Sequence, residues 1–234
     1  MVILTAAGHG GADSGTSNLF VPGSYEKDVN LAIEGELARF ALANGHQVFR
    51  MRTTDTDWAL SDLSVVAQRV KADAVFEVHC NASGSGISTA RGAYAIALPN
   101  SRSWMVGAMI MEYIQQTAGI PNRGCKDHFW YNGEPLYVSN VQRFNELSDH
   151  IHMITENGYL SNQEDARALM EDGVRTNIGW SHLAGLHRYF GLAEPRQPSL
   201  PAGGVSKASI LMVPVAIGFA SIAVYELVLG PRRR

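Results

Sequence analysis

Short apolar segments alternate with longer segments of helical spacing through most of this chain, and this alternation constrains the fold more than any other feature. The apolar segments predict strands at residues 2–6, 47–52, 74–79, 92–98 and 151–155. The longer segments predict helices at residues 28–44, 60–71, 103–118, 163–170 and 176–190. Strands that alternate with helices form βαβ units with a largely parallel sheet. We therefore predict an α/β fold with a twisted, mostly parallel sheet and helices on both faces.

Two histidines each lie where a predicted strand gives way to a loop. His9 follows the first strand within a glycine-rich segment, and His79 ends the third strand. Active sites of such sheets gather at the carboxyl ends of the strands. Two imidazoles and a carboxylate, such as Glu26, can hold Zn²⁺ and leave one position open for water. A further carboxylate, such as Glu156, can then act as a general base, so the pattern predicts a hydrolase.

Composition excludes several other classes of protein. Hydrophobic residues make up 46% of the chain and charged residues 18%, which indicates a folded core rather than disorder. The net charge of −3 is uneven, because residues 207–234 carry +3 and residues 1–206 carry −6. The net negative charge of residues 1–206 argues against a nucleic-acid partner. Cys80 and Cys125 cannot form a disulfide framework, and residues 1–5 lack the basic region of a secretory signal.

A series of short motifs adds specificity, because each is weak alone but all occur in one order. They are Gly8-His9-Gly10-Gly11, Asp13, Gly15, Glu26, Arg52-Thr53-Thr54-Asp55, Lys71-Ala72-Asp73, His79-Cys80-Asn81-Ala82, Ala90-Arg91-Gly92, Asn122-Arg123-Gly124 and Glu156-Asn157-Gly158-Tyr159-Leu160-Ser161-Asn162. In this order they resemble the zinc-dependent N-acetylmuramoyl-L-alanine amidases, the family of phage endolysins and bacterial cell-wall amidases. The resemblance extends from Val2 to about Gly191.

The resemblance implies a role for each of four residues. His9, Glu26 and His79 would bind one Zn²⁺ per chain, and Glu156 would be the catalytic carboxylate. The chemistry agrees, because zinc with three protein ligands lowers the pKa of its bound water to about 7. Glu156 would take a proton from that water and pass it to the leaving amine. The implied scissile bond joins N-acetylmuramic acid to L-alanine of the stem peptide in peptidoglycan.

Two positions depart from the family pattern. Ala6 lies three residues before the first histidine, where the family usually has an aspartate. Glu77 lies two residues before His79, where the family usually has a small residue. Glu77 and His79 face the same side of an extended strand, so we predict that Glu77 either orients a ligand histidine or forms a salt bridge at a strand edge.

The segment between the second histidine and Glu156 is longer than expected. Residues 123–150 predict an irregular loop or insertion beside the site, and an aromatic cluster at residues 129–131 would form a substrate wall or close the core. Arg123 and Asn81 are the candidate substrate-binding residues, since arginine suits bidentate carboxylate binding. Hydrogen bonds that stabilise loops are the alternative role for both side chains.

The composition changes at Glu194. We predict a catalytic domain over residues 1–193, a Pro/Gly linker over 194–207, a transmembrane helix over 208–230 and a basic tail over 231–234. The apolar run contains a single charge, Glu226, and about 20 apolar residues span a bilayer core. A buried core helix or a hydrophobic docking segment is the alternative.

Together these features predict a peptidoglycan amidase of the phage-lysin type. Its partners would be peptidoglycan and a lipid bilayer, and not nucleic acid. A single-pass C-terminal anchor would attach it to the host cell envelope or to a virion membrane. The alternatives are a non-catalytic wall-binding or virion-structural protein on an amidase fold, and a zinc peptidase that cuts within the stem peptide.

Overall fold

The computed structural model describes residues 1–84, 86–131, 134–137, 150–196, 211–212 and 226–228. The helices in these ranges are α1 (Glu26–Ala43), α2 (Leu60–Val70), α3 (Arg102–Ala118), α4 (Gln163–Ala168) and α5 (Asp172–Tyr189). The strands are β1 (Val2–Ala7), β2 (Gln47–Arg50), β3 (Ala74–Asn81), β4 (Ala93–Ile96), β5 (Asn122–Lys126), β6 (His128–Tyr131), β7 (Glu134–Tyr137), β8 (Ile151–Tyr159), β9 (Leu211–Met212) and β10 (Glu226–Val228).

An eight-stranded mixed sheet forms the centre of the molecule, in the order β5-β4-β8-β3-β1-β2-β10-β9. The four central strands β8, β3, β1 and β2 are parallel, as the sequence predicts. Outside this centre the prediction of a mostly parallel sheet is incomplete, because β4 runs antiparallel to β8 and β10 runs antiparallel to β2. The carboxyl ends of β1, β3 and β8 consequently meet at one edge of the sheet.

Helices cover both faces of the sheet, as predicted, but unequally. Successive residues of a strand point to opposite faces, so Ile3 packs against the layer of α1, α3 and α5 while Leu4 packs towards α2. The three-helix layer contains the larger core cluster, with Phe76 and Ile110 fully buried. Burying each side chain of this size contributes about 1.5–3 kcal/mol.

Helix α1 begins where the site needs a carboxylate. Tyr25 has extended backbone dihedrals and Glu26 is the first helical residue, two positions before the start predicted from hydrophobic spacing. The apolar face of the helix, which includes Val29, Ile33 and Leu37, is buried against the sheet. Because α1 is packed on the sheet through this face, Glu26 lies beside the carboxyl ends of β1 and β3.

The prediction of an irregular loop over residues 123–150 is wrong at its start. Strand β5 joins the edge of the sheet parallel to β4, and β6 pairs antiparallel with β7. This strand is hard to predict from sequence because β5 is polar and Gly124 has a left-handed backbone (φ 69°). The pairing of β4 with β5 shifts register between Ala93 and Ala95. The aromatic cluster at 129–131 lies in β6, and residues 138–149 lie outside the described ranges.

Four hydrogen bonds hold residues 193–196 against the catalytic domain. The ring nitrogen of Trp180 donates to the carbonyl of Pro195 at 3.2 Å, and Nδ1 of His187 lies 2.6 Å from the carbonyl of Ala193. Asn44 both accepts from the backbone N–H of Arg196 and donates to its carbonyl. The first residues of the predicted linker are therefore fixed to the domain.

Only part of the predicted transmembrane segment lies within the described ranges. Leu211–Met212 and Glu226–Val228 form strands and not the predicted helix, with β10 paired to β2. This pairing occupies backbone groups of β2 that would otherwise form an open sheet edge. Within the described ranges, no helix has the length and apolar character needed to cross a membrane. The rest of residues 208–230 and the tail at 231–234 lie outside them.

Candidate metal centre and active site

The loop after β1 places His9 at the edge of the sheet. His9 itself has a left-handed backbone (φ 60°), and the N–H of Gly8 donates to the carbonyl of Val78 at 2.9 Å, which ties the loop to β3. A Cβ atom at Gly8 would lie 2.1 Å from Cε1 of His79. The glycine before His9 is therefore a steric requirement for bringing the two imidazoles together.

The buried carboxylate of Glu26 lies between the two histidines. Its Oε1 is 3.1 Å from Nε2 of His9 and 3.2 Å from Nδ1 of His79. Its other oxygen accepts the backbone N–H of Thr16 at 3.0 Å. These contacts fix the carboxylate so that one oxygen faces both rings.

These three side chains form a group that could hold a metal ion. One ligand atom from each residue lies within 4.8 Å of the others, and no second group of this kind occurs among the described residues. Ligand atoms about 2.0–2.1 Å from a tetrahedral zinc ion lie about 3.3 Å apart, close to the two distances from Glu26. The His, His, carboxylate donor set is one that catalytic zinc uses. The residues predicted as zinc ligands therefore fit that ion.

The charges of the group also favour a cation. Burial alone would lower the pKa of His9, but hydrogen bonds and the charges of Glu26 and Asp13 raise it to about 9. Burial opposes ionisation of Glu26, yet the hydrogen bonds from His79 and His9 hold its pKa well below the ordinary value. Glu26 is thus ionised, and its charge favours protons on the two neighbouring imidazoles. A divalent cation could displace those protons.

Asp13 is a part of the site to which the sequence analysis assigned no role. Its Oδ2 lies 2.8 Å from Nδ1 of His9, on the side of the ring opposite Glu26. Its other oxygen accepts the N–H of Gly15 at 3.0 Å. A carboxylate at Nδ1 fixes the ring orientation and directs Nε2 to the metal position. The sequence signal that could have indicated Asp13 was its position within the family motifs.

Glu156 lies on β8, paired in register with His79 on β3. The side chain is buried, with 9% of the residue exposed, and Oε2 is buried without a hydrogen-bond partner among the described groups. Burial and the nearby charge of Glu26 raise the pKa of Glu156 to about 7, although the positive charges of His79 and His9 oppose the shift. A carboxylate with such a pKa can both accept and donate a proton near neutral pH.

A cleft of about 940 Å³ opens above these residues, and both candidate substrate-binding residues line it. Arg123 is exposed and its Nη1 donates to the hydroxyl of Tyr159 at 2.7 Å. The amide nitrogen of Asn81 is already bonded to the hydroxyl of Tyr94, which supports the stabilising alternative for this side chain. The cleft also contains Lys126, which no sequence motif indicated.

Comparison with known proteins decides the family. The sequence profile described as N-acetylmuramoyl-L-alanine amidase matches residues 3–188. The chain belongs to this amidase family. The chain is 27% identical to the endolysin of Bacillus phage SPP1 over 215 residues, 88% of this chain and 74% of that protein. It is also 27% identical to the amidase CwlM of Bacillus licheniformis, over 82% of this chain and 70% of that protein.

Solved structures show the same fold. The catalytic domain of the amidase CwlV from Bacillus (Paenibacillus) polymyxa var. colistinus is 25% identical, with a TM-score of 0.68 over 82% of this chain and 98% of that one. The amidase AmiC2 of Nostoc punctiforme shares the fold, with a TM-score of 0.69 and 24% identity over 82% and 97% of the two chains. The protein is a peptidoglycan amidase, so the predicted family and substrate are confirmed.

Glu77 of the amidase does not contact a metal-ligand candidate. Its Oε1 lies 2.7 Å from Nε2 of His152 on β8, and both side chains are buried. The prediction that Glu77 orients a ligand histidine is therefore wrong. The alternative, a salt bridge at a strand edge, is borne out in the carboxylate–imidazole contact with His152 but wrong in its position, because β3 is a central strand of the sheet.

Arg52 stabilises the loop that carries His9 in the amidase. This buried guanidinium donates to the carbonyls of Ala7 at 3.0 Å, Gly8 at 3.1 Å and Lys27 at 2.7 Å. One side chain thus connects the end of β1 to the first turn of α1. The arginine lies within a family motif, but sequence alone could not indicate which carbonyls it binds.

Proposed function

We propose that this amidase cleaves the bond between N-acetylmuramic acid and L-alanine with one Zn²⁺ held by His9, Glu26 and His79, and with Glu156 as general acid and base. The convergence of three ligand atoms within 4.8 Å, beside a buried carboxylate, is the observation that carries the proposal. Zinc at such a donor set supplies Lewis acidity, which lowers the pKa of water and polarises an amide carbonyl.

The protein's own residues supply the proton transfers and the orientation. Glu156, ionised above its pKa of about 7, accepts a proton from the attacking water. It then donates that proton to the departing nitrogen of L-alanine, which becomes a neutral amine. Asp13 keeps Nε2 of His9 directed at Glu26, so the donor set is preorganised before substrate binds.

Metal analysis and digestion of purified walls test this proposal. We expect the full chain to contain one zinc ion, to lose activity on chelation, and to regain it with added zinc. Mass spectrometry should show released peptides that begin with L-alanine, whereas a peptidase would leave L-alanine on the muramic acid. Glu156→Gln should retain zinc and lose about 100-fold or more in rate, since general acid–base catalysis contributes that much.

A matched carboxylate gives the control. Glu112 is half-exposed on α3 and forms an ion pair with Arg188, so Glu112→Gln removes the same charge away from the cleft. This variant should retain activity. Undiminished activity of Glu156→Gln, or full activity without any divalent metal, would contradict the assigned roles.

We also propose that the enzyme is a phage lysin held at a membrane by residues 208–230. Similarity to the endolysin of Bacillus phage SPP1 supports the lytic role, and a 20-residue apolar run with Glu226 as its single charge supports the anchor. The anchor would place the enzyme at a host cell envelope or a virion membrane. Flotation with phosphatidylglycerol-containing vesicles should recover the full chain with lipid, and Ile217→Arg should abolish this recovery.

Pairing of β10 with β2 favours a second candidate role for the same segment, which is docking on the catalytic domain. In that case the full chain and Ile217→Arg would both remain with the soluble fraction. The variant would instead unfold at lower denaturant concentration than the wild type.

A further inference from the structure

Two cations in the active-site cleft form no ion pair within the part of the chain that the structure describes. Arg123 and Lys126 lie three residues apart on β5 and both line the cleft. Neither side chain forms an ion pair with any residue in the described ranges, whereas Arg91 nearby pairs with Glu164 and Asp165. Cations that line a substrate cleft without a carboxylate in direct contact are available to an anionic ligand.

Each cation rests on the ring of a buried tyrosine. Nζ of Lys126 lies 3.9 Å from the centroid of Tyr94, and the guanidinium carbon of Arg123 lies 5.4 Å from the centroid of Tyr159. Only 3% and 6% of the two tyrosines is exposed, and they pack in one apolar cluster with Ile96. A cation–π contact fixes a charge without using its N–H donors. Among the described residues, a single N–H of the two cationic groups has a hydrogen-bond partner, which is the hydroxyl of Tyr159.

Packing and charge distinguish these two side chains further. A Cβ atom on Gly92 would lie 3.0 Å from Cγ of Arg123, so the glycine provides the space that the arginine stem fills. Burial lowers the pKa of Lys126 and the charge of Arg123 lowers it further, although the charge of Glu156 opposes the shift. An anion in contact with both groups would relieve this repulsion.

The position of the cations relative to Glu156 limits which anion they can meet. Tyr94 is the direct cross-strand neighbour of Glu156, and Cβ atoms of such neighbours are about 5 Å apart. Lys126 stacks on that tyrosine and its charge acts on Glu156, so the ammonium lies near the reacting carboxylate. An extended peptide advances about 3.4 Å per residue. A carboxylate one residue beyond the scissile amide can therefore reach the cations. The anion does not have to come from the far end of the stem peptide.

We propose that Lys126 and Arg123 form a carboxylate subsite for the second residue of the stem peptide. The second residue of the stem is D-glutamate. It is joined to the next residue through its γ-carboxyl, so its α-carboxylate is free. The subsite makes the enzyme specific for stems with that carboxylate over stems in which it is a carboxamide. The inference rests on the proposed function, because Glu156 marks the position of the scissile amide.

Matched substrates test the subsite. The substrates are disaccharide tetrapeptides that differ only in a carboxylate or a carboxamide on the second residue, and the readouts are kcat and KM. Wild-type enzyme should prefer the carboxylate at least tenfold in kcat/KM, mainly through KM. Lys126→Met and Arg123→Gln should each reduce this preference towards one, and Lys126→Arg should retain it. Arg69→Gln is the control, because it removes an exposed charge on α2 outside the cleft.

Each result supports or overturns the subsite. Equal kcat/KM of wild type on both substrates would overturn it while leaving the amidase assignment intact. A loss in Lys126→Met that is the same for both substrates, with a shifted pH profile, would mean that Lys126 acts only on Glu156, and would also overturn it. Failure of the proposed function has a different signature, since zinc-loaded wild type would then release no L-alanine peptides from whole walls.

Discussion

Oε1 of Glu26 lies 3.2 Å from Nδ1 of His79, although 53 residues separate them in the sequence. The first residue of α1 and the end of β3 meet because the helix is anchored on the sheet by its buried apolar face. The packing of α1 on the sheet therefore fixes the position of the carboxylate beside the ring. Substitutions that disturb this contact should affect metal binding more than folding.

Gly8→Ala should disrupt the metal site through sterics alone. The new Cβ atom would lie 2.1–2.5 Å from three atoms of the His79 ring, and Gly8 has no left-handed backbone that would add strain. We expect the ring to move and the amidase rate to fall about 100-fold, as for ångström-scale misplacements elsewhere. Wall-digestion rates and zinc titration measure this effect. Gly173→Ala is the control, because a Cβ there meets no atom within 4 Å; equal losses in the two variants would contradict the prediction.

Asp13→Asn should weaken zinc binding about 10-fold to 100-fold, since carboxylates that orient ligand histidines typically contribute that much. The carboxylate contacts Nδ1 of His9 at 2.8 Å and is itself half-exposed, so the fold should tolerate the change. Competition with a chromophoric chelator measures the affinity. Asp62→Asn on α2 provides a matched charge change away from the site. An unchanged affinity in Asp13→Asn would show that the ring is oriented by other contacts.

Glu156 should make the metal-free enzyme less stable at neutral pH than in acid. Its folded-state pKa of about 7 lies above the ordinary value of 4.5, so the folded state binds the proton more tightly than the unfolded state. The resulting stabilisation is complete below pH 4.5 and is lost as pH rises through 7. The loss amounts to about 3 kcal/mol.

Urea unfolding in the presence of chelator tests this pH dependence. Between pH 5 and pH 8 the free energy of unfolding should fall more in wild type than in Glu156→Gln, which cannot ionise at this position. Other titrating groups are shared by the two proteins and cancel in the comparison. Parallel pH profiles would show that Glu156 titrates normally.

Arg50→Met should destabilise the fold by about 3 kcal/mol, because removing one partner strands a buried charge. The remaining partner would be Glu34, which is fully buried on α1 and accepts a hydrogen bond from Nε of Arg50 at 2.8 Å. Chemical denaturation measures the loss. Replacing both residues by methionine should recover much of it, since no charge then remains buried; a double variant as unstable as the single one would sink this explanation.

Much of the fold follows from local pattern. Each of the five helices and five strands predicted for residues 1–193 occurs, with bounds that differ by a few residues. The strand β5 was not predicted, because Arg123 and Gly124 do not alternate as a buried strand does, and an edge strand with a register shift tolerates them. The described residues of the predicted transmembrane helix form strands, and the rest of that helix and the domain bounds after residue 196 remain predictions.

The candidate site follows from sequence to a similar extent. The motifs indicated His9, Glu26, His79 and Glu156, and the structure places all four around one cleft. The partner of Glu77 could not be predicted, because His152 lies on a strand whose neighbour is set by sheet order. The same holds for the contact of Lys126 with the ring of Tyr94, which lies on the neighbouring strand β4.

The sequence by itself determined which elements form, their order, and the residue types that carry the chemistry, because spacing of apolar side chains and short motifs are local properties. Only the tertiary structure decided which side chains meet. Strand order, register and the packing of α1 on the sheet bring together groups far apart in the chain, and their burial shifts their pKa values. Those long-range contacts gave Glu26 its two histidines, Glu77 its buried partner, and the cleft its two cations.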